Sequence, residues 1–374
     1  MKTMITIISL LIGTSALFSQ EFELSMEKGK EFLDQNNYVS ALESFFQAYE
    51  IASSDSAEML ADSCKNICLE KISQDLSKYK NLKVNTESAL RLSLNEPKTK
   101  ANANKKLYEL TKLKGVSHFN KKNYFEAYQL FKLAKLCPDY SIDAEIDDYI
   151  AKTSDSLNAI KKIALVVGNA NYVEANLEKA LVDAKAVGEA LKSIHFDVIE
   201  GYNLKSPQFD EKIKELYEKA KGYDLVLFFY TGFGYQSDQL LPVDTKTDAE
   251  GNLKKWFSLN FIMSEFLKYN TTSKKIFILD MDRTANNAVL PMLMTYHNCM
   301  VFYSAAPANK AFNGVGKNSL FTEQLLKFLT MPNTPFQEIF RLTREATMRV
   351  SKNRQVPTLY DNIQNNIYLN LKLD

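Results

Sequence analysis

Two segments of this chain end a run of apolar residues in a short polar or glycine-bearing turn, where reactive side chains are often held. Residues 228–234 read FFYTGFG and residues 277–283 read FILDMDR. The second segment offers two carboxylates, Asp280 and Asp282, followed by the cation Arg283. Carboxylates can transfer protons or bind a divalent cation. Neither segment contains a cysteine or a histidine, so the pair of side chains used in thiolate chemistry is missing from both.

The carboxy-terminal half of the sequence alternates strand and helix patterns around these segments. Its apolar runs predict strands at 162–168, 196–199, 224–230, 275–281, 300–304 and 366–371, and its helical spacings predict helices at 177–193, 209–221, 259–267, 319–329 and 337–350. Strands that are apolar on both faces and separated by amphipathic helices favour a mostly parallel sheet covered on both sides. In that class the working site lies at the carboxyl ends of the strands. Both segments are expected there, on adjacent strands.

From Lys162 to its end, the chain resembles caspase-like and metacaspase-like cysteine peptidase domains of bacteria. The family pattern Tyr-Ala-Gly-His-Gly corresponds to residues 230–234, and the pattern Leu-Asp-Ala-Cys-Arg corresponds to residues 279–283. Further short matches follow in family order at 166–169 (VVGN), 183–184 (DA), 240–244 (LLPVD), 304–307 (SAAP), 318–322 (NSLFT) and 355–357 (QVP). The resemblance implies an α/β caspase-like sandwich.

The resemblance also implies which residues stand at the catalytic positions. Phe233 occupies the position of the family's histidine base, and Asp282 that of the cysteine nucleophile. A phenyl ring cannot accept a proton, and a carboxylate does not replace a thiolate in attack on an amide. We therefore predict no active catalytic residue and read Phe233 as an apolar plug of the former site. The other residues of this vestigial site are Gly232, Gly234, Asp280 and Arg283.

Three arrangements could still give the domain a chemical activity. His297 and Cys299 are the one close His–Cys pair in the sequence and could form an alternative catalytic pair. However, Cys299 begins an apolar strand, and we interpret it as a core residue. Asp282 could attack as a carboxylate, although no partner acid is evident. Asp280 and Asp282 could hold a divalent cation with Asp244. Solvated or arginine-paired carboxylates are the favoured reading, so neither a metal nor a cofactor is predicted.

The amino-terminal half carries an internal repeat of helical character. The repeated positions are Gly29, Phe32, Tyr38, Ala41, Phe45 and Ala48, and then Gly115, His118, Tyr124, Ala127, Phe131 and Ala134, with a closing Pro138. They match the tetratricopeptide pattern of paired helices. Because one such unit cannot bury its apolar face alone, a third, degenerate unit is expected within 56–97. Such an array either binds a peptide or protein on its concave surface or serves as a packing module.

The first twenty residues, MKTMITIISLLIGTSALFSQ, have the layout of a signal peptide. The apolar run is shorter than the ~20 residues needed to span a membrane, so cleavage near residues 19–20 and export to the periplasm or the outside are predicted, with no transmembrane segment in the mature chain. The predicted divisions are a signal peptide at 1–20, a tetratricopeptide-like all-α domain at 21–158 and a caspase-like domain at 160–374.

The net charge argues against one class of partner, and the number of cysteines argues against a fold held by disulfides. Lys+Arg 46 against Asp+Glu 45 gives a net charge of +1, which argues against a nucleic-acid partner. Four cysteines are too few for a disulfide framework in a chain of this length. Cys64 and Cys68 lie four residues apart and could form a metal pair or a local bridge, but two small buried residues are favoured.

Taken together, these features predict an exported, multidomain pseudoenzyme of the cysteine peptidase class that acts as a protein-binding or scaffold module. Its partner is expected to be a protein or peptide. One alternative is an active cysteine-type endopeptidase that uses unconventional residues. Another is a structural component of the cell envelope that binds nothing in its groove.

Overall fold

The computed structural model describes residues 20–34, 38–51, 60–61, 63–65, 67–68, 97–137, 142–173, 175–235, 238–248, 253–269, 273–282, 297–307, 309–363 and 365–373. The chain divides into two compact units, residues 1–158 and 159–374. No helix within the described ranges is both long enough and apolar enough to cross a bilayer.

The regular elements described in the amino-terminal unit are all helices. They are α1 (Gln20–Asp34), α2 (Tyr38–Ile51), α3 (Pro97–Asn120), α4 (Tyr124–Leu136) and α5 (Ala144–Asn158). Two of the helix pairs, α1 with α2 and α3 with α4, pack as hairpins. The helical prediction for this half is therefore confirmed, whereas the predicted third unit lies almost wholly outside the described residues.

The two hairpins share one detail of packing. A Cβ atom placed on Gly29 of α1 would overlap the ring of Phe45 on α2, and one placed on Gly115 of α3 would overlap the ring of Phe131 on α4. Both rings are fully buried. In each hairpin the missing side chain lets two helix backbones approach around an aromatic ring, so the sequence repeat corresponds to a repeated contact.

The cysteines of this unit lie in its core. Cys64 and Cys68 are buried free thiols, together with Cys137, within one apolar cluster. Burial raises the pKa of each of these thiols to about 12. Within the described ranges, no group of three or more His, Cys, Asp or Glu residues is placed to hold a metal ion.

The carboxy-terminal unit is a three-layer α/β sandwich. Its elements are β1 (Lys162–Gly168), α6 (Glu178–Ser193), β2 (Asp197–Tyr202), α7 (Ser206–Lys219), β3 (Leu225–Thr231), β4 (Gly234–Tyr235), β5 (Gln239–Leu240), β6 (Phe257–Ser258), α8 (Leu259–Tyr269), β7 (Lys274–Asp280), β8 (Cys299–Tyr303), α9 (Leu320–Phe328), α10 (Phe336–Ser351) and β9 (Thr358–Asn362). Six strands form one sheet in the order β2-β1-β3-β7-β8-β9, and β4, β5 and β6 form a small second sheet.

The large sheet is parallel except for β9, which runs antiparallel to β8. Alternate residues of each central strand face opposite sides and are buried on both, as a sheet covered twice requires. Phe228 and Tyr230 of β3 point toward α7 and α8, whereas Phe229 points toward α6, α9 and α10. The predicted α/β class with a mostly parallel sheet is confirmed.

The predicted closing strand at 366–371 is wrong, and the last strand is instead β9. Lys352 and Asn353, both at positive φ, end α10 and turn the chain back toward β8. The later segment runs against helix α10 and the preceding turn, where Phe336 N–H donates to Ile367 O. Ile367 and Leu369 are buried among the helices. Their alternating pattern therefore reflects burial on one side and not a hydrogen-bonded ladder.

Candidate functional site

The two segments identified in the sequence meet at the carboxyl edge of the large sheet. Strands β3 and β7 are neighbours, and Thr231 pairs in register with Asp280. A Cβ atom placed on Gly234 would lie 2.5 Å from the sulfur of Met281 and 3.1 Å from the carbonyl oxygen of Asp282. The segments are thus in contact, and a side chain at position 234 would have to displace Met281.

The ring of Phe233 is half-buried at this edge. It packs against the ring of Tyr172, with the ring centroids 4.7 Å apart and the planes inclined by 53°. The backbone is held on both sides, since Phe233 N–H donates to the Tyr172 hydroxyl at 2.8 Å and the Tyr230 hydroxyl donates to Phe233 O at 2.7 Å. Apolar packing and two hydrogen bonds therefore fix Phe233, the residue predicted to stand at the position of the base.

The two tyrosine hydroxyls beside Phe233 do not supply a substitute base. Burial raises the pKa of Tyr172 to about 12, and burial with the nearby Tyr172 raises that of Tyr230 well above its usual value. The Tyr172 hydroxyl donates to the carbonyl of Leu241 at 3.2 Å, and the same carbonyl oxygen lies 3.0 Å from the Tyr230 hydroxyl oxygen. A Cβ atom on Gly232 would lie 2.5 Å and 2.7 Å from these two hydroxyl oxygens, which accounts for a glycine at that position.

Asp282 is engaged by the loop that crosses this edge of the sheet. We call residues 309–319, between β8 and α9, the strap. One carboxylate oxygen of Asp282, Oδ1, accepts a hydrogen bond from the backbone N–H of Ala311 in the strap at 2.7 Å. The side chain of Asp282, which is predicted to stand at the nucleophile position, is therefore tied to the protein's own backbone. Arg283, the last residue of the predicted site, lies outside the described residues.

Asp280 is buried and contacts the start of α9. Its Oδ2 accepts from the hydroxyls of Ser319 at 2.5 Å and Thr322 at 2.8 Å. A second buried carboxylate, Asp183 of α6, accepts from the backbone N–H of Ser319 at 3.0 Å and from the side chain of Asn318 at 2.8 Å. Ser319 thus bridges two buried acids.

These two carboxyl groups cannot both be ionised without strong repulsion. Burial, and then the charge of Asp280, raise the pKa of Asp183 to about 7, and burial raises the pKa of Asp280 as well. We infer that the pair holds one proton at neutral pH. Asp183 was not among the predicted site residues, although an acid on a helix face shared with Ala180, Ala184 and Val187 was a signal that could have identified it.

Two further side chains hold the strap in place. The ammonium of Lys179 lies among four strap carbonyls, those of Asn313 (2.5 Å), Gly314 (3.1 Å), Gly316 (2.7 Å) and Asn318 (3.1 Å). Gln355 accepts from Phe312 N–H at 3.0 Å and donates to the carbonyl of Ser304 at 2.9 Å. The sequence carried no signal for either contact.

The third carboxylate of the suggested cation site lies elsewhere. Asp244 accepts from the backbone N–H and the hydroxyl of Ser206, both at 2.8 Å, and pairs with Lys255 at 2.7 Å. It secures the start of α7, which explains why that helix begins before the predicted residue 209. The structure therefore does not bring Asp244 together with Asp280 and Asp282 as cation ligands.

The alternative His–Cys pair also lies away from the site. Cys299 begins β8, whereas Asp280 ends the neighbouring strand β7, so the two residues lie at opposite edges of the sheet. Cys299 is fully buried, and burial raises its pKa to about 11. It pairs in register with Lys275, also fully buried. The position of Cys299 agrees with its interpretation as a core residue.

Residues 161–368 match the model of a protein family described as "Caspase domain". Among solved structures, the chain is similar to the crystal structure of Caspase-1 from Spodoptera frugiperda, with 14% sequence identity and a TM-score of 0.45. That similarity covers 57% of this chain and 91% of the other. No curated protein matches the chain.

Proposed function

We propose that this chain, which belongs to the caspase domain family over residues 161–368, is an exported pseudopeptidase that works by binding another protein. The proposal rests on the residues found at the two predicted catalytic positions, Phe233 and Asp282. Phe233 is packed on Tyr172 and Asp282 is bonded to the strap. Phe233 has no group that can accept a proton, and Asp282 has no thiolate with which to attack an amide.

The expected loss of activity is large because nucleophile and base act as a unit. Removing one member of such a pair from subtilisin lowers turnover by about a millionfold, equivalent to roughly 8 kcal/mol of barrier. Two hydrogen-bonded tyrosines and a strap-bound carboxylate supply no replacement. A domain in this state retains the fold and its surface, and a protein-binding or scaffold role uses only those.

Two features outside the caspase domain support a binding role in an exported protein. The repeated Gly–Phe contact of the α1–α2 and α3–α4 hairpins is the packing expected of tetratricopeptide-like units, which present a concave surface to a peptide or protein. The leader pattern, which falls on residues outside the described ranges apart from Gln20, supports export. Amino-terminal sequencing of the protein from its native host tests export, with a mature chain starting near Gln20 as the expected result.

The test of the pseudopeptidase proposal compares the unmodified chain with a repaired one. We expect that the unmodified chain does not cleave peptides ending in Lys, Arg or Asp. Cys299→Ala should likewise show no cleavage of these peptides. In Phe233→His with Asp282→Cys, the missing pair is restored, and thiol-sensitive cleavage is expected if the rest of the site has survived. Phe233→His with Asp282→Ala is the matched control, because it lacks only the nucleophile.

Cleavage by the unmodified chain that stops on alkylation would overturn the proposal. Loss of that cleavage in Cys299→Ala would identify an unconventional cysteine peptidase instead. The absence of activity in the repaired variant leaves the proposal standing and means that restoring the two side chains does not by itself rebuild the site.

A further inference from the structure

The surface beside the former catalytic positions carries an unusual concentration of positive charge. Lys310 and Lys317 are exposed on the strap, and Arg349, Lys352 and Arg354 are exposed at the end of α10 and in the turn after it. Neither 305–319 nor 346–360 contains an acidic residue, although the whole chain carries a net charge of only +1. We call these five cations the basic patch.

Phe312 in the strap joins the two halves of the basic patch, which are the strap lysines and the cations at the end of α10. The guanidinium of Arg354 lies 5.2 Å from the ring centre of Phe312 in the strap. The adjacent Gln355 accepts from the backbone N–H of the same phenylalanine at 3.0 Å. The strap and the end of α10 therefore form one continuous surface, and Ala311 ties it to the position of Asp282.

The charges of the basic patch are not neutralised within the described part of the chain. None of the five cations forms an ion pair there. Glu323 of α9 lies beside Gly316 of the strap, and its carboxylate is 3.7 Å from the ammonium of Lys327. Asp183 and Asp282 accept hydrogen bonds from strap backbone groups. A cationic surface of this kind attracts an anionic partner.

Two apolar side chains accompany the charges. Val315 at the tip of the strap is fully exposed, and Val350 in the last turn of α10 is 54% exposed. Exposed apolar groups within a charged surface mark places where a partner can bury apolar area. The phosphates of a nucleic acid offer these valines no apolar surface, whereas an acidic peptide can offer carboxylates and apolar side chains together.

We propose that the basic patch docks an acidic peptide segment of a partner protein, with apolar side chains placed between its carboxylates. The inference rests on the proposed function as a protein-binding module and specifies the chemistry of the partner. A segment bound in this way would lie across the strap, next to Phe233 and Asp282. Its affinity depends on salt, because the cations are exposed and screening weakens their attraction.

The test uses the full chain and fluorescein-labelled peptides in fluorescence anisotropy. One peptide alternates Glu with Leu, and its uncharged control alternates Gln with Leu. We expect the Glu peptide to bind more tightly than the Gln peptide, and Lys310→Glu with Lys317→Glu to weaken it by more than about tenfold. Lys246→Glu with Lys254→Glu is the matched control, since both lysines are exposed and no ion pair is seen for them in the described ranges; it should stay within about twofold.

Further measurements separate the possible partners. Val315→Ser with Val350→Ser should weaken the Glu peptide without changing its salt dependence, because only apolar contacts are removed. Competition by a DNA duplex and by phosphatidylglycerol vesicles should be weaker than competition by unlabelled Glu peptide. Circular dichroism of each variant verifies that it is folded.

Three outcomes would overturn the inference: no binding of the Glu peptide, equal losses in the two charge-reversed pairs, or tighter binding of duplex or vesicles through the same lysines. Peptidase activity of the unmodified chain, by contrast, would overturn the proposed function and leave the binding result unchanged.

Discussion

Ser319 links the two buried carboxyl groups of the site, Asp183 and Asp280, through hydrogen bonds. It donates its backbone N–H to Asp183 and its hydroxyl to Asp280, and it also accepts from Thr322 N–H as the cap of α9. Three hydrogen-bonded partners around one residue, one on its backbone N–H and two on its hydroxyl, leave little freedom for the surrounding backbone. Because the two carboxyl groups face the same serine from α6 and β7, the protonation of one depends on the other.

The first prediction concerns the dependence of stability on pH. The folded-state pKa of Asp183 is about 7, above its usual value of 3.8. Between these values the folded chain binds more protons than the unfolded chain, so the free energy of unfolding should fall as pH rises through that window and level off above it. Urea unfolding followed by the fluorescence of Trp256, the single tryptophan, measures this effect.

Asp183→Asn should flatten that pH dependence, because the titrating group is removed while its size and one acceptor remain. Asp210→Asn serves as the control, since this carboxylate forms a surface ion pair with Lys214 on α7. If Asp183→Asn retains the full dependence of the unmodified chain, the proton is not held by this pair.

At the scale of the elements, the strap is fixed more firmly than its lack of regular structure implies. Lys179 of α6, Asp282 after β7 and Gln355 after α10 each bind its backbone. These three residues come from distant parts of the sequence. The strap is consequently part of the packed domain, and its exposed side chains are presented from a defined position.

The second prediction tests that arrangement through Lys179→Met. The variant keeps most of the aliphatic stem but loses the ammonium that four carbonyls share. Since a hydrogen bond to a charged group contributes about 1.5–3 kcal/mol, amide hydrogen exchange across 309–319 should accelerate by about tenfold or more. Lys192→Met is the control, because that lysine is at the other end of α6 and pairs with Glu200. Equal exchange in both variants would show that the ammonium does not hold the strap.

Some elements of the domain could be predicted from the sequence, and others could not. The central parallel strands β1, β3, β7 and β8 were predictable because each is apolar on both faces. The meeting of 228–234 with 277–283 followed from the rule for parallel sheets. The segment 366–371 was mispredicted because burial on one side produces the same alternation as a strand. The strap contacts could not be predicted, since backbone carbonyls around Lys179 leave no mark in the residue types.

At the scale of the whole molecule, each unit has its own core. Two apolar clusters cover the two faces of the large sheet in residues 159–374. Two others lie among the helices of residues 1–158. Separate cores of this kind are the property that allows domains to unfold as separate cooperative units.

The third prediction follows from that separation. Gly115→Ala would force a methyl group onto the ring of Phe131, and overpacking of this type destabilises by about 1–3 kcal/mol. We expect faster amide exchange in α3 and α4, with the urea midpoint reported by Trp256 unchanged. Gly234→Ala is the reciprocal variant, because its methyl group would meet Met281 in the other unit, so it should lower the Trp256 midpoint and leave α3 and α4 protected. A shift of the Trp256 midpoint in Gly115→Ala equal to that in Gly234→Ala would instead mean that the two units unfold as one cooperative block.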